Sequence, residues 1–293
     1  MKKIGLMSAV LVSGAAFAAD GIKLGGFADV GFAWTKDADP ATRFAAPEGA
    51  FYFGKTMGAG EVMVDVPFAS IISDDLSNMQ AHVSWKYDNG FWWKMGRFDG
   101  LYGAEAMDSW DRFFSHAGLL SDATPTAHLG LNLGYKASDS LNVHFLIANA
   151  GLVAALPAGA KYDFGFKVES MSDAFNVALG AIFQAAAGTG DYGYLLNVVG
   201  SSKMGQLGTT IELVYNKAKD LGVGAHFDYA MSEDTDLGAS VEFMKPDVGD
   251  STTELRVGPK FNMTKDFNVR VALGMKFGAV EETTVGLNAV HRF

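Results

Sequence analysis

The sequence contains no cysteine, and charged residues make up only 19% of the chain. Without cysteine there is no disulfide framework, so the fold depends on backbone pairing and burial. Beyond the N-terminus no run of roughly 18 apolar residues occurs, which is the length that a membrane-spanning helix needs. The chain also lacks the basic stripe that meets nucleic-acid phosphates. Nucleic-acid binding and helical membrane spans are therefore excluded.

The first residues have the pattern of an export signal. Lys2 and Lys3 precede a short apolar segment, 4–16, and Ala16-Phe17-Ala18 fits a small-x-small cleavage site. We expect residues 1–18 to be removed as a signal peptide, which leaves 19–293 as a single domain; an uncleaved anchor is the alternative. Loss of the two lysines takes the formal net charge from −10 to about −12.

Apolar and polar residues alternate with a period of two along most of the chain, which predicts β-strands. Between strands, short polar connections such as Asp88-Asn89-Gly90 give strong hairpin signals. The count is sixteen strands, with fourteen or eighteen as alternatives because the second and third are blurred. The predicted strands lie near 22–35, 49–57, 60–69, 78–87, 91–98, 127–136, 141–149, 162–170, 175–184, 192–200, 206–216, 221–231, 236–244, 253–261, 267–277 and 283–293.

A transmembrane barrel explains this pattern better than a soluble sandwich. The polar face is sparse in charge and rich in glycine, whereas a sandwich exposes a face rich in Lys, Glu and Thr. Strands of about 9–11 residues span a bilayer, and the sheet must close because lipid cannot satisfy backbone polar groups. We therefore predict an all-β fold, a transmembrane antiparallel up-and-down β-barrel of about sixteen strands in the outer membrane.

Aromatic residues and connection lengths fit the same topology. Fifteen aromatic residues of the apolar face fall into two groups at opposite strand ends, which predicts two interfacial belts. Connections on one side are short and those on the other are longer, including 36–48 and 99–126. We expect short periplasmic turns and longer external loops, with 99–126 as the third external loop. The belts comprise Tyr87, Phe91, Tyr135, Phe175, Tyr229, Phe261, Phe267 and Phe293 at one end and Trp34, Tyr162, Phe183, Tyr192, Tyr215, Phe243 and Phe277 at the other.

Several segments resemble a known family. The plan of sixteen strands with a long third loop resembles the general bacterial porins. The motifs, which cover about a quarter of the chain, resemble the OmpL-like β-barrel porin family. The carrying residues are Lys94-Met-Gly-Arg-Phe98, Gly103-Ala-Glu105, Pro125, His128 with Gly130, and Ile147-Ala-Asn149. The resemblance implies a passive porin, a third loop folded into the lumen and a homotrimer, and it supplies no particular solute.

The last strand resembles the terminal signature that the barrel assembly machinery reads in outer-membrane proteins. Phe293 ends the chain, and His291 stands where an aromatic residue is often found. Lipid, lipopolysaccharide and this machinery are the expected partners, together with small hydrophilic solutes.

Inward-facing charges predict a constriction. The third loop carries Glu105, Asp108, Asp111 and Arg112, and the spacing from Met107 to Ala117 suggests a short helix. A loop folded inward would face a basic wall on the last three strands and the first, and opposed charges across a narrow lumen filter solutes. The alternative leaves the loop at the surface with its acids in water. The wall comprises Lys23, Arg256, Lys260, Arg270, Lys276 and Arg292.

No catalytic, cofactor or metal motif stands out, so we expect a porin for passive diffusion of ions and small hydrophilic solutes rather than an enzyme. A structural or adhesive barrel without an open pore is one alternative. An outer-membrane hydrolase is another, since Ser109, Asp111 and His116 could supply a nucleophile and a base. The inward-facing His82, His128, His144 and His226 lie on four different strands, which favours pore lining over a metal site.

Overall fold

The structure, a computed structural model, describes residues 22–36, 41–67, 79–105, 112–114, 117–149, 162–185, 192–217 and 220–293. The predicted signal peptide lies outside this part of the chain. Sixteen antiparallel strands follow one another in sequence order and close into a barrel. The strands are β1 Ile22–Lys36, β2 Ala41–Met57, β3 Gly60–Pro67, β4 Gln80–Lys86, β5 Phe91–Asp99, β6 Ala127–Ser138, β7 Leu141–Asn149, β8 Tyr162–Met171, β9 Phe175–Ala185, β10 Tyr192–Met204, β11 Leu207–Asn216, β12 Leu221–Ala230, β13 Thr235–Lys245, β14 Thr252–Thr264, β15 Phe267–Gly278 and β16 Glu282–Arg292. The predicted strand number is confirmed.

The barrel closes where the last strand pairs with the first. Val290 lies opposite Asp29, and Leu287 lies opposite Phe32. Beyond β16, the Phe293 amide donates to the Gly26 carbonyl at 2.9 Å, and the Gly26 amide donates to the Phe293 carbonyl at 3.0 Å. The terminal residue therefore completes the ladder and removes a free edge, as a sheet in lipid requires.

The largest error in the predicted strand boundaries is at the start of β2; smaller ones are at the ends of β10 and β14, which continue to Met204 and Thr264. Residues 41–48 were assigned to a connection, but they extend β2 at its start and pair with the second half of β1. The register shifts between Asp29 and Gly31, which leaves Ala46 and Pro47 opposite a single residue of β1. Proline has no backbone donor and tolerates such a bulge, and the bulge obscures the alternation on which the prediction relied.

The two faces of the sheet differ as the alternation predicts. Large apolar side chains such as Met95 (56% exposed) and Phe175 (54% exposed) cover the outer face. Among the predicted aromatic belts, Tyr135 and Tyr229 at one end and Tyr162 and Phe277 at the other are all exposed. The other face of the sheet, here called the inner face, carries mostly glycine, polar and charged residues, together with an apolar cluster of Phe98, Leu146, Ile182, Leu195 and Val214 that packs with Tyr102. Phe27, the exception to the alternation of β1, is buried on the inner face beside Ala50 and Val290.

Connections at one end of the barrel, here called the short-turn end, have two to four residues between strands. They are 58–59, 87–90, 139–140, 172–174, 205–206, 231–234 and 265–266. Gly58, Gly90 and Gly205 have positive φ angles there, which glycine adopts without strain. The longest connection, 100–126, lies at the opposite end, here called the long-loop end. No helix among the described residues is long and apolar enough to cross a bilayer.

Candidate functional site

The candidate site lies where the segment 100–126 contacts inner-face side chains of β8 to β14. Tyr102 begins these contacts. Its ring packs where Gly165 and Gly180 leave space on neighbouring strands, and its hydroxyl donates to the Ala181 carbonyl at 3.1 Å. Burial raises the pKa of Tyr102, so its hydroxyl stays protonated as a donor at neutral pH. The start of the segment is thereby attached to β8 and β9.

The next attachment uses side chains of β10 and β11. The Gly103 amide donates to Asn197 Oδ1 at 3.2 Å, and the Ala104 amide donates to Glu212 Oε2 at 3.1 Å. Asn197 Nδ2 donates to Glu212 Oε1 at 2.6 Å, so the amide group orients the buried carboxylate. Both side chains are 2% exposed. Because a buried carboxylate is costly without partners, the two hydrogen bonds that Glu212 accepts, from the Ala104 amide and from Asn197, explain how it is accommodated.

A buried ion-pair cluster lies at the centre of the site. The Arg256 guanidinium contacts Glu105 Oε1 at 2.9 Å and also pairs with Glu242 of β13. Its Nε donates to Ser240 Oγ at 2.9 Å, and its Cζ lies 5.1 Å from the Phe114 ring centroid. Arg256 is 5% exposed and Glu242 is 1% exposed. One arginine therefore joins the segment to two strands of the wall through charge-assisted hydrogen bonds.

The turn at 117–120 is held by carboxylates that accept hydrogen bonds from its backbone amides. The Gly118 amide donates to Glu105 Oε2 at 2.6 Å, within the segment itself. The Leu119 amide donates to Glu254 Oε2 at 3.2 Å, and the Leu120 amide donates to Glu242 Oε2 at 2.9 Å. Three consecutive amides thus meet three carboxylates, and a 3₁₀ turn at Ser121–Ala123 follows directly.

Gly118 is the tightest point of this turn. A Cβ there would overlap Glu242 Oε1 and the Arg256 guanidinium. We expect Gly118→Ala to displace the turn and to cost about 1–3 kcal/mol, as overpacking does. Single-channel conductance should become larger and noisier while the barrel still folds. Gly193→Ala is the control, since a Cβ there meets only the Gln184 carbonyl at 3.7 Å. Identical conductance in wild type and Gly118→Ala would contradict the expectation.

Three potential metal ligands meet in the same cluster. One ligand atom from each of Glu105, His226 and Glu242 lies within 4.8 Å of the others. Arg256 contacts both carboxylates, so this side chain already supplies the positive charge that a metal ion would bring. A cavity of about 120 Å³ adjoins the cluster and is lined partly by Arg112, Phe113 and His226.

The residues predicted for the constriction have different surroundings. Glu105 contacts Arg256, and Arg112 is buried, whereas Asp108 and Asp111 lie outside the described residues. The hydrolase candidates Ser109, Asp111 and His116 also lie outside them. Residues 112–114 are not helical, and the remainder of the suggested helix is mostly outside the described part.

The predicted basic wall is interleaved with acids. Lys23 lies 3.5 Å from Glu61, and Lys276 lies 3.9 Å from Glu282. Arg270 Nε donates to Asn268 Oδ1 at 2.7 Å. Lys260 lies opposite Arg270 in the ladder, and Arg292 is exposed at the end of β16. Of these six residues, Arg256 joins the wall to the described residues of the segment through its contact with Glu105.

Sequence reasoning missed the most important anchors of the segment. Glu212, Glu242 and Glu254 look like ordinary inward-facing acids between outward-facing apolar neighbours. Their partners are backbone amides more than 100 residues earlier in the chain. The signal in the sequence that could have indicated these anchors is a carboxylate in the middle of an apolar strand, because burial of a carboxylate without a partner is costly.

Comparison with known proteins identifies the family. Residues 29–272 match the family described as "Putative beta-barrel porin-2, OmpL-like". No curated protein sequence matches the chain.

Solved porins share the fold. OmpF of Salmonella typhi, in complex with daunomycin, is 13% identical, with a TM-score of 0.72 over 93% of this chain and 97% of that one. An anion-selective porin from Comamonas acidovorans is also 13% identical, with a TM-score of 0.71 over 93% and 99%. The outer-membrane channel DcaP of Acinetobacter baumannii is 10% identical, with a TM-score of 0.70 over 93% and 97%.

These likenesses and the closed sixteen-strand barrel agree with one another. The family and the fold are those of porin channels, and the exposed apolar outer face is the surface that a bilayer covers. The chain belongs to the OmpL-like β-barrel porin family and is an integral protein of the outer membrane.

Proposed function

We propose that this protein is a porin for passive diffusion of ions and small hydrophilic solutes. The observation that carries the proposal is a closed barrel of sixteen strands whose inner face is mostly polar, apart from the apolar cluster around Tyr102. Barrels of this size leave an aqueous channel, whereas smaller barrels are filled by side chains. Asn132, Ser240 and Asn288 on the inner face illustrate a lining suited to water and polar solutes.

We further propose that the segment 100–126 folds into the lumen and narrows the channel. Its described residues contact the inner face from Gly165 on β8 to Arg256 on β14. A segment attached to this wall leaves the solute path between itself and the opposite strands. Glu105, Asp108 and Asp111 are proposed to border that path together with Lys23, Lys260, Lys276 and Arg292. The other predicted constriction residues, Arg112, Arg256 and Arg270, are buried and are not among the side chains proposed to line it.

Planar-bilayer recording tests the channel directly. Purified protein should insert in discrete steps of conductance, and vesicles that contain it should swell in small sugars. A folded, heat-modifiable barrel that gives no steps would contradict the proposal and would favour a structural or adhesive barrel. The proposal also leaves no role for hydrolysis, so Ser109→Ala and His116→Ala should conduct like wild type.

Further proposals concern export and assembly. We propose cleavage of residues 1–18, contact with lipid and lipopolysaccharide, and delivery by the barrel assembly machinery through the terminal residue. The two hydrogen bonds between Phe293 and Gly26, which close the barrel, support a requirement for an intact C-terminus. A homotrimer is proposed from the family resemblance, and native mass spectrometry in detergent measures it.

A further inference from the structure

The inner-face charges are separated by sign along the barrel axis. Each strand residue can be numbered from the short-turn end, with the first residue of the strand there as position one. Positions one to five form the short-turn half of the lumen, and later positions form the long-loop half. The charges counted below are those of described side chains on the inner face, which alternate along each strand with the exposed apolar side chains.

The short-turn half is basic. Nine bases and four acids lie in it, which gives a formal charge of about +5. The bases are Lys23, Lys86, Lys94, Lys136, Lys167, Lys203, Lys260, Arg270 and Arg292, and the acids are Glu61, Glu169, Asp228 and Asp236.

The long-loop half is acidic. Two bases and seven acids lie in it, which gives a formal charge of about −5. The bases are Arg256 and Lys276, and the acids are Asp29, Asp65, Asp163, Glu212, Glu242, Glu254 and Glu282. Glu105 and Arg112 of the long segment cancel formally and leave this balance unchanged.

We propose that this axial separation of charge makes the channel a rectifier for small ions, with cations enriched in the long-loop half and anions enriched in the short-turn half. The inference rests on the proposed porin function and specifies how its ions are handled. A single-sign lumen would select one kind of ion, whereas two opposite halves in series admit both and conduct unequally in the two directions.

The direction of the effect follows from the order of the charges. When the long-loop side is positive, cations move from the acidic half towards the middle of the lumen, and anions move there from the basic half. Both carriers accumulate at the boundary and the current rises. The opposite voltage draws both carriers away from the boundary and the current falls.

The distances involved allow the two halves to act separately. Their mean positions differ by about six strand residues, which corresponds to roughly 14 Å along the axis of a barrel with tilted strands. The Debye length is about 8 Å at 0.15 M salt, which is shorter than this separation, and about 3 Å at 1 M, where the wall charges no longer reach ions in the middle of the lumen. Rectification should therefore be present at 0.15 M salt and should disappear at 1 M.

The experiment is a current–voltage curve from single channels of known orientation in potassium chloride. Because the chain has no cysteine, Asp173→Cys in the exposed turn 172–174 gives a unique label at the short-turn end. A bulky impermeant maleimide added to one side then reports which end faces it. We expect a current ratio of about two at 0.15 M salt, with the larger current when the long-loop side is positive, and a ratio near one at 1 M.

Charge reversal identifies the source of the effect. Lys86, Lys136 and Lys203 are exposed near the short-turn end. Changing all three to Glu takes that half from about +5 to about −1 and should bring the ratio close to one. The single variants Lys86→Glu and Lys265→Glu form a matched pair. Lys265 lies 89% exposed in a turn rather than on the inner face, so only Lys86→Glu should lower the ratio.

The possible results separate this inference from the function on which it rests. A conducting wild type with symmetric current at 0.15 M, or with the larger current in the opposite direction, overturns the rectifier and leaves the porin intact. Equal effects of Lys86→Glu and Lys265→Glu also overturn it. A folded protein without any conductance overturns the porin proposal instead.

Discussion

Deletion of residues 104–118 is expected to raise the single-channel conductance by roughly two- to threefold, because a sixteen-strand barrel without an inserted segment has a wide aqueous lumen. The deletion removes Glu105 and the 112–114 stretch that packs on Arg256 and Gly238. The sixteen strands and their ladders do not include any deleted residue, so the barrel itself should form.

The matched control shortens another connection at the long-loop end. Removal of 247–249 deletes Val248, which is 87% exposed, and should leave the conductance unchanged. Planar-bilayer recording measures both variants, and heat-modifiable migration checks that each is folded. A conductance that stays at the wild-type value after deletion of 104–118 would mean that the segment does not narrow the channel.

Arg256→Met is expected to lower the free energy of unfolding by about 3–5 kcal/mol, the usual cost of leaving buried charges without their partner. The substitution leaves the carboxylates of Glu105 and of Glu242, which is 1% exposed, without their cationic partner. Methionine fills a similar volume, so the loss would come from charge rather than from a cavity. Urea unfolding in lipid vesicles, followed by tryptophan fluorescence, measures it.

Two further variants sharpen this experiment. The triple variant Arg256→Met, Glu105→Gln, Glu242→Gln removes the stranded charges and keeps acceptor oxygens for the turn amides, so it should recover most of the lost stability. Lys203→Met also removes one inner-face charge, but from an exposed position, and should change stability by less than about 0.5 kcal/mol. If Arg256→Met unfolds like wild type, the cluster is not a stabilising centre.

The sequence predicted the barrel because each strand repeats the same two-residue alternation. The turns 87–90 and 205–206 carry glycines at positive φ, so the hairpins were visible from local residues alone. The start of β2 was missed because a bulge around Pro47 interrupts the alternation. The local pattern therefore predicted the strands where one face is apolar, and it missed the start of β2 where the register shifts.

The candidate site was harder to predict because its bonds join distant parts of the chain. Strand order placed the root of the long segment opposite β13 and β14, and Glu105 and Arg256 lie 2.9 Å apart in the structure. The acceptor roles of Glu212, Glu242 and Glu254 could not be foreseen. Their donors are main-chain amides, which look the same at every position of a sequence.

That main-chain attachment has a consequence for how such a channel can diversify. Amides of Ala104, Leu119 and Leu120 exist whatever side chains these residues carry, and the carboxylates that accept them belong to the wall. Substitutions at Ala104 and Leu119 can therefore alter the chemistry of the segment's surface without breaking these hydrogen bonds. Tyr102, Glu105 and Gly118 are different, because the Tyr102 hydroxyl, the Glu105 carboxylate and the missing side chain of Gly118 are part of the fit. The carboxylates of the wall can therefore keep the segment attached while selection exchanges side chains on the segment.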